Sequence, residues 1–351
     1  MPDSVARLAK AGLDVVVEAG AGQHAFMADS AYADAGATVV ASPDWSGHDV
    51  VLHVSPLTAE QAGRLRRGCV TAGFLSPGGN AEGIRALAAA GATSFALELL
   101  PRISRAQSMD ALTSQALVAG YRAALVAADR LPSFFPLLMT AAGTIPPAKV
   151  LVLGAGVAGL QAIATAKRLG AVVEAYDVRP ASADEVRSMG AKFVELDLES
   201  LEGTGGYARE MTEDRAQRQR DLLAPYVAAA DAVITTAAVP GRAAPLLVTR
   251  AMVEQMKAGS VVVDLAAETG GNVEGSVAGE EVTIGGALVW GARDVPSQMP
   301  VDASRLYARN VSDLLLLMTS GEGEVVPDFD DEVVAGCWVT RDGAVREGIV
   351  A

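Results

Sequence analysis

The segment whose residue types and spacing most directly indicate chemistry is a glycine-rich run over residues 154–159, Gly-Ala-Gly-Val-Ala-Gly. In such a run the first glycine permits a tight turn, the second lets the main chain approach a pyrophosphate, and the third lets a helix pack closely on a strand. The N–H groups and positive dipole at the start of that helix attract an anion. The residues predicted to bind the diphosphate of a dinucleotide are Gly154, Gly156, Val157, Ala158 and Gly159.

The sequence on either side of this run has the order that such a site needs. The aliphatic residues Lys149–Leu153 before it are typical of a central parallel strand buried on both faces. A helix is predicted over Leu160–Leu169, directly after the run. Because strand, glycine turn and helix follow one another in the required order, the run is a specific signal rather than a chance cluster of glycines.

An acidic residue follows at the spacing expected for ribose recognition. The next predicted strand, Ala171–Tyr176, is followed by Asp177, which lies 18 residues after Gly159. A carboxylate there accepts hydrogen bonds from the adenosine ribose hydroxyls and repels a 2′-phosphate. We therefore expect NAD(H) rather than NADP(H), with Val178 and Arg179 as further contacts. The positive charge of Arg179 tempers this preference.

General acid–base residues are scarce outside this site. Dehydrogenases that act on alcohols, amines or acids need a group that handles the accompanying proton. The three histidines, His24, His48 and His53, have no obvious partner and are interpreted as surface or loop residues. Hydride transfer between two nicotinamide rings moves no separate proton and requires only positioning and exclusion of water. The composition is therefore compatible with that reaction.

The bulk composition excludes several classes of protein. With 28 basic and 42 acidic residues the net charge is −14, which disfavours binding to nucleic acid. The long uncharged run Leu131–Ala148 contains four prolines and cannot form a spanning helix. Cys69 and Cys337 lie in apolar surroundings without metal-type spacing, so we expect buried, reduced thiols and no metal site. The opening Pro2-Asp3-Ser4 predicts a helix start and no signal peptide, which indicates a cytoplasmic protein.

A chain of 351 residues predicts two domains. The fold class expected is α/β, with two doubly wound, Rossmann-like parallel-sheet domains and a cleft between them. The first domain is predicted over 1–112 plus 302–351, and the NAD(H)-binding domain over 113–301. A long helix over Met109–Asp129 joins the two, and a helix over Ala303–Met318 leads back. Strands are predicted near Leu13–Glu18, Ala37–Val40, Asp49–Val54, Val70–Phe74, Thr93–Leu97, Lys192–Val194, Ala232–Thr235, Ser260–Asp264, Val282–Ile284, Ala287–Trp290 and Cys337–Thr340.

Several segments together resemble a known family. The most specific is Glu98–Asp110, Glu-Leu-Leu-Pro-Arg-Ile-Ser-Arg-Ala-Gln-Ser-Met-Asp. With it the chain resembles the NAD(H)-binding component, domain I or alpha-1 subunit, of proton-translocating NAD(P) transhydrogenase, in the alanine dehydrogenase/transhydrogenase superfamily. The other segments that carry the resemblance are Val17–Gly22, Met139–Ala148, the glycine run through Arg179, Gly205–Ala208 and Thr340–Ala344.

The resemblance implies roles for particular residues. In the family an Arg, a Gln and an Asp form a loop over the nicotinamide, which implies catalytic roles for Arg102, Gln107 and Asp110. An alternative is that Arg102 and Asp110 simply cap and brace the helix that starts near Met109. A mobile loop of the family carries a tyrosine that closes over NAD(H). The further cofactor contacts implied are Thr113, Tyr207, Ala237 and Glu268.

The resemblance also implies partners. The chain would bind NAD(H), with NADP(H) on a partner subunit and proton translocation in a membrane-spanning subunit. A homodimer, peripheral to the inner face of the cell membrane, is expected. The rival interpretation is a free-standing alanine dehydrogenase, but the lysine and histidine of that family's pyruvate pocket are replaced by Leu52-His53-Val54 and Phe74-Leu75-Ser76. A third interpretation is an inactive NAD-binding protein, because the family's first strand is missing and unpaired sheet edges are expected.

Overall fold

The computed structural model describes residues 1–198, 212–238 and 243–350. The chain forms two compact units. One, which we call the split unit, consists of residues 1–115 and 300–351, and the other, the inserted unit, consists of residues 116–299. These divisions fall within a few residues of the predicted ones.

The first segment of the split unit alternates helices with short strands. Its helices are α1 (Pro2–Lys10), α2 (Asp29–Asp34), α3 (Ala59–Gly63) and α4 (Ala81–Ala89). Its strands are β1 (Val16–Glu18), β2 (Thr38–Val40), β3 (Val50–Leu52), β4 (Val70–Gly73) and β5 (Thr93–Ala96). A 3₁₀ helix, Ser104–Met109, then leads into the long helix α5 (Ala111–Arg130). The predicted strands in this segment are thus all present.

The inserted unit is built around one large sheet. Its strands are the hairpin β6 (Leu138–Thr140) and β7 (Gly143–Ile145), then β8 (Lys149–Leu153), β9 (Val172–Tyr176), β10 (Lys192–Phe193), β11 (Ala232–Thr235), β12 (Val261–Asp264), β13 (Glu281–Ile284) and β14 (Ala287–Gly291). Its remaining helices are α6 (Val157–Arg168), α7 (Ser182–Ser188), α8 (Glu213–Ala229) and α9 (Arg250–Glu254). The seven-stranded sheet has the order β10-β9-β8-β11-β12-β14-β13 and is parallel except for the edge strand β13.

The central strands of this sheet are covered on both faces. Alternate residues of β8 enter different hydrophobic clusters: Val150 and Val152 pack with α5 and α6, whereas Leu151 and Leu153 pack with α8 and α9. A strand with apolar residues at every position needs such cover, which explains the continuous aliphatic run in the sequence. The doubly wound α/β fold predicted from the sequence is therefore confirmed.

The second segment of the split unit returns to the sheet of the first. It contains α10 (Pro300–Leu317), α11 (Glu332–Cys337), β15 (Trp338–Arg341) and β16 (Ala344–Val345). Strand β15 pairs antiparallel with β5, and the five-stranded sheet has the order β16-β15-β5-β4-β3. The predicted return of the tail to the first domain is confirmed, and it makes this sheet mixed rather than purely parallel.

Strands β1 and β2 form a parallel two-stranded sheet of their own, apart from this five-stranded sheet. Within the described ranges, β1 therefore has β2 as its only strand neighbour, and β3 has only β4. Each leaves one edge of main-chain N–H and C=O groups without a strand partner.

Both cysteines are buried, unbridged thiols, as predicted. Burial raises the pKa of Cys69 to about 11 and that of Cys337 to about 12, because a thiolate is poorly solvated inside a protein core. None of the helices in the described residues has the length and the apolar character that a membrane span requires.

Candidate nucleotide-binding site

The glycine turn joins β8 to α6 and is packed too tightly for side chains at two of its positions. Gly154 has φ +102°, and a Cβ there would lie 2.7 Å from Thr236 Oγ1. A Cβ on Gly159 would lie 1.9 Å from the carbonyl oxygen of Gly154. These glycines are therefore required by the turn itself and by the approach of α6 to it.

Gly156 differs, because a Cβ there would meet nothing within 4 Å. It immediately precedes α6 and is exposed, as is Val157 in the first turn; Ala158 is half-buried. The first turn of α6 contains no acidic residue that would compete for its N–H donors. The turn therefore leaves open space beside a helix N-terminus, whose N–H donors and dipole favour an anion.

Asp177 is tied to this turn. Its Oδ2 accepts a hydrogen bond from the Ala155 main-chain N–H at 2.8 Å and one from Arg179 Nη2 at 3.0 Å. Its Oδ1 accepts from the main-chain N–H and from Nε of Arg179, both at 2.9 Å. The carboxylate therefore lies at the carboxyl end of β9, next to the glycine turn, where the sequence predicts ribose recognition.

These four hydrogen bonds have a consequence for ligand binding. A carboxylate offers about four acceptor sites, and all four are engaged here. A ribose diol that binds Asp177 must therefore share or displace the Arg179 guanidinium. Val178, between the two, packs partly buried against the core.

The carboxyl ends of β11 and β12 complete this region. Thr236 Oγ1 donates to the Gly154 carbonyl at 3.0 Å, and the next residue, Ala237, is hydrogen-bonded by the side chain of Asn272. The sequence predicts Ala237 as a contact but neither Thr236 nor Asn272. The one local signal for Asn272 is its position directly after Gly270-Gly271, where a tight turn follows a buried strand.

Glu268 is exposed, and its Oε2 accepts a hydrogen bond from the main-chain N–H of Asp294 at 3.0 Å. Asp294 has a left-handed φ of +46° and begins a 3₁₀ turn. Glu268 therefore contacts the loop that follows β14.

The predicted nicotinamide loop lies in the split unit, around the 3₁₀ helix Ser104–Met109. Ala106 and Met109 are buried in the core of that unit, whereas Arg102 and Gln107 are exposed. Asp110 accepts hydrogen bonds from the main-chain N–H of Thr113 at 2.9 Å and from its hydroxyl at 2.6 Å. Asp110 thus caps the start of α5, as the helix-capping alternative predicts, and Thr113 donates both hydrogen bonds to it.

Two further contacts anchor the same loop within the split unit. Arg105 forms a two-point ion pair with Asp331, at 2.5 and 3.0 Å. Asn310 of α10 donates from Nδ2 to the carbonyl of Ser108 at 2.8 Å. These contacts with Asp331 and with α10 hold the loop in place, whereas the Gln107 side chain is exposed to solvent. Tyr207, the other residue predicted for the nicotinamide end, lies outside the described residues.

His53 lies in the loop after β3, in agreement with its interpretation as a surface or loop residue, but it is half-buried rather than exposed. Its ring packs against Gly73, where a Cβ would lie 2.5 Å from Nδ1, and Nδ1 is 2.9 Å from the carbonyl of Ser55. A carbonyl only accepts, so Nδ1 carries the proton. Nε2 is buried without a hydrogen-bond partner among the described residues. Burial lowers the pKa of His53 to about 4, so the ring is neutral at pH 7.

This burial should make stability depend on pH. Between pH 6.5 and about 4 the unfolded chain binds a proton at this position and the folded chain does not. Wild type should therefore lose stability relative to His53→Asn as the pH falls through that range, by at most about 1.4 kcal/mol per pH unit. Urea unfolding of both proteins from pH 7 to 4.5 measures the difference. Parallel stability curves would contradict the assignment.

Comparisons with known proteins identify the family of this chain. The family model described as "Alanine dehydrogenase/PNT, N-terminal domain" matches residues 1–119, and "Alanine dehydrogenase/PNT, C-terminal domain" matches residues 123–348. Together these cover nearly the whole chain, including the 3₁₀ helix Ser104–Met109, the glycine turn and Asp177.

Individual relatives fall in both branches of that family. An NAD(P) transhydrogenase subunit alpha polypeptide of Rhodospirillum rubrum is 45% identical over 355 residues, covering 98% of this chain and 92% of that protein. A crystal structure of transhydrogenase from Sinorhizobium meliloti has a TM-score of 0.87 and 45% identity, covering 99% and 94%. Alanine dehydrogenase of Mycobacterium tuberculosis is 34% identical over 280 residues, covering 78% and 70%. With both domain models matched and relatives of this identity along its length, the chain belongs to the alanine dehydrogenase/PNT family.

Proposed function

We propose that this chain is the NAD(H)-binding component of a proton-translocating NAD(P) transhydrogenase. In this proposal it exchanges hydride between NADH bound to it and NADP⁺ held on a partner subunit. The observation that carries the proposal is the joined glycine turn and Asp177 of the inserted unit, in a chain 45% identical to a transhydrogenase alpha subunit.

The residues of the inserted unit fit an NAD(H) molecule. The open position at Gly156 and the N-terminus of α6 would hold the diphosphate, and Asp177 would receive the adenosine ribose. The bound dinucleotide would supply the hydride donor or acceptor. The chain's own contribution would be to bind and orient it.

The partner-dependent reaction suits the side chains present. Exchange between two nicotinamide rings requires no general acid, so the catalytic contribution proposed for Arg102 and Gln107 is orientation. The guanidinium would hold a carboxamide, and the Gln107 amide would bridge ribose hydroxyls. Asp110 would fix the loop through the cap that it forms with Thr113.

Alanine dehydrogenase activity is the alternative that the family leaves open. Oxidation of an amine needs a group that moves a proton, and His53 would be the nearest replacement for the imidazole of that reaction. Its Nδ1 is committed to a main-chain carbonyl and its Nε2 is shielded from solvent. This geometry supports the transhydrogenase proposal over the dehydrogenase.

A two-arm assay tests the proposal. In one arm the chain is mixed with the NADP(H)-binding component of a transhydrogenase, and reduction of an NAD⁺ analogue by NADPH is followed. In the other arm the chain receives alanine and NAD⁺ alone. We expect turnover only in the first arm. Turnover with alanine alone would overturn the proposal, and NADH binding without turnover in either arm would favour an inactive NAD-binding protein.

The proposal extends to the assembly. A separate membrane-spanning subunit would carry the proton, and this chain would be a homodimer at the inner face of the cell membrane. Co-purification of the chain with the proposed partner subunits from native membranes would test these associations.

Cofactor choice offers a sharper test at one residue. Asp177→Asn removes the negative charge that opposes a 2′-phosphate and leaves the positive Arg179 beside it. We expect the ratio of NADH to NADPH affinity to fall at least about tenfold, equivalent to about 1.4 kcal/mol. Titration calorimetry with both nucleotides measures the ratio. Asp184→Asn, which changes an exposed carboxylate on α7, is the matched control and should leave the ratio unchanged.

A further inference from the structure

A buried asparagine connects two loops at the carboxyl edge of the large sheet. Asn272 is fully buried. Its Oδ1 accepts a hydrogen bond from the main-chain N–H of Ala237 at 3.0 Å, and its Nδ2 donates to the carbonyls of Ala237 and Pro245, both at 2.8 Å. One amide thus satisfies both main-chain groups of Ala237. If the amide were rotated by 180°, its Nδ2 would face the N–H of Ala237 and its Oδ1 would face the carbonyl oxygens, so the side-chain orientation is fixed.

Asn272 is itself held by a buried carboxylate. Asp264, at the end of β12, is fully buried and accepts hydrogen bonds from the main-chain N–H of Asn272 at 3.1 Å and of Val273 at 3.2 Å. It also accepts from the main-chain N–H of Ala266 at 3.1 Å and from the hydroxyl of Thr235 at 3.0 Å. A buried carboxylate with this many donors anchors the main chain around it.

The connection continues to the glycine turn. Thr236, which precedes Ala237, donates its hydroxyl hydrogen bond to the Gly154 carbonyl. The N–H of Ala237 lies 3.1 Å from the position that a Cβ on Gly154 would occupy. Asp264, Asn272, Ala237 and Thr236 therefore form one continuous set of contacts that ends on the first glycine of the turn.

The position of these four residues in the sheet indicates which half of a dinucleotide would lie near them. In the sheet, β9 with Asp177 lies on one side of β8, and β11 and β12 lie on the other. A dinucleotide binds across the carboxyl ends of the strands at such a point, with one nucleotide on each side. Since Asp177 lies on the adenosine side, Ala237 lies on the side of the nicotinamide nucleotide.

We propose that Asn272 is a positioning residue for the nicotinamide half of the cofactor, acting through Ala237. The inference rests on the proposed NAD(H)-binding function. It assigns to Asn272 no contact with the reacting atoms. Its effect comes from holding the main chain on which the nicotinamide nucleotide would lie, so loss of the amide should weaken that half of the ligand selectively.

The test compares a whole dinucleotide with its adenosine half. Affinities of NADH and AMP are measured by calorimetry for wild type, Asn272→Leu and Asn272→Ser, together with melting temperatures. Leucine has the branched shape and the number of side-chain heavy atoms of asparagine without its hydrogen bonds, whereas serine leaves room for water to satisfy the exposed main-chain groups and so protects folding. For the serine variant, NADH affinity should fall about tenfold or more while AMP affinity changes less than about twofold.

A control and two opposing results define the test. Ser260→Ala changes another buried polar side chain next to β12, at the amino end of that strand, and should leave both affinities unchanged. Equal weakening of NADH and AMP by Asn272→Ser, or no weakening, would overturn the positioning role while the proposed function stands. Failure of wild type to bind NADH would overturn the proposed function and this inference with it.

Discussion

Gly156→Ala is expected to abolish high-affinity NADH binding without destabilising the protein. A methyl group at this position meets nothing within 4 Å in the folded chain, so the melting temperature should not fall. The same methyl would occupy the place where the main chain must approach a pyrophosphate. We expect NADH affinity to fall on the order of 100-fold, about 2.7 kcal/mol, as measured by calorimetry or quenching of NADH fluorescence.

The comparison variants separate ligand binding from folding. Gly63→Ala, on α3, also places a methyl group where nothing lies within 4 Å, and it should change neither stability nor NADH affinity appreciably. Gly159→Ala should instead unfold or distort the turn, because its Cβ would collide with the Gly154 carbonyl. Unchanged NADH affinity in the stable Gly156→Ala protein would show that the diphosphate does not lie at this turn.

Arg102→Ala is expected to reduce hydride transfer severely while leaving NADH binding nearly intact. If the guanidinium orients the nicotinamide carboxamide, its loss allows the ring to move away from the position for reaction, and such misplacement costs about 100-fold in rate. The adenosine half, which is proposed to bind at the glycine turn and Asp177, should still provide most of the affinity. The measurements are the rate with the NADP(H)-binding component and the equilibrium affinity for NADH. Gln107→Ala should behave in the same direction.

Arg105→Ala is the matched control. Arg105 belongs to the same loop and has the same side chain, but it is ion-paired with Asp331 at the N-terminus of α11. An ion pair of an exposed arginine contributes little to stability, so both stability and rate should change only slightly. Equal rate losses in Arg102→Ala and Arg105→Ala would indicate general distortion of the loop and contradict a specific role for Arg102.

The central region of the fold was predictable because its signals are local. The run Lys149–Leu153 becomes β8 with the predicted bounds, and after the exposed Lys149 it is apolar at every position because both of its faces are buried. Asp177 lies beside the glycine turn because the strand before it is paired with β8. In these segments the spacing along the chain determines the position in space, so the sequence was sufficient.

Features that depend on distant contacts were not predictable. The burial of His53 depends on the absence of a side chain at Gly73, on the neighbouring strand. The role of Asn272 depends on Ala237, which is 35 residues away. The hairpin of β6 and β7 was not predicted, because short exposed strands carry little hydrophobic pattern. The antiparallel direction of β13 was also not predictable, because the residue pattern locates a strand but does not identify the strand with which it pairs.

The insertion of one unit into the other sets the order in which this chain can fold during synthesis. All strands of the seven-stranded sheet lie within residues 116–299, whereas β5 must wait for β15, whose Thr340 bonds to a carbonyl 248 residues earlier. At about 5–20 residues per second, synthesis of residues 300–351 leaves several seconds for the inserted unit to fold first. Its two ends then lie together, because Arg122 donates to Gln298 at 3.0 Å. Folding of the inserted unit thus shortens the loop that the split unit must close.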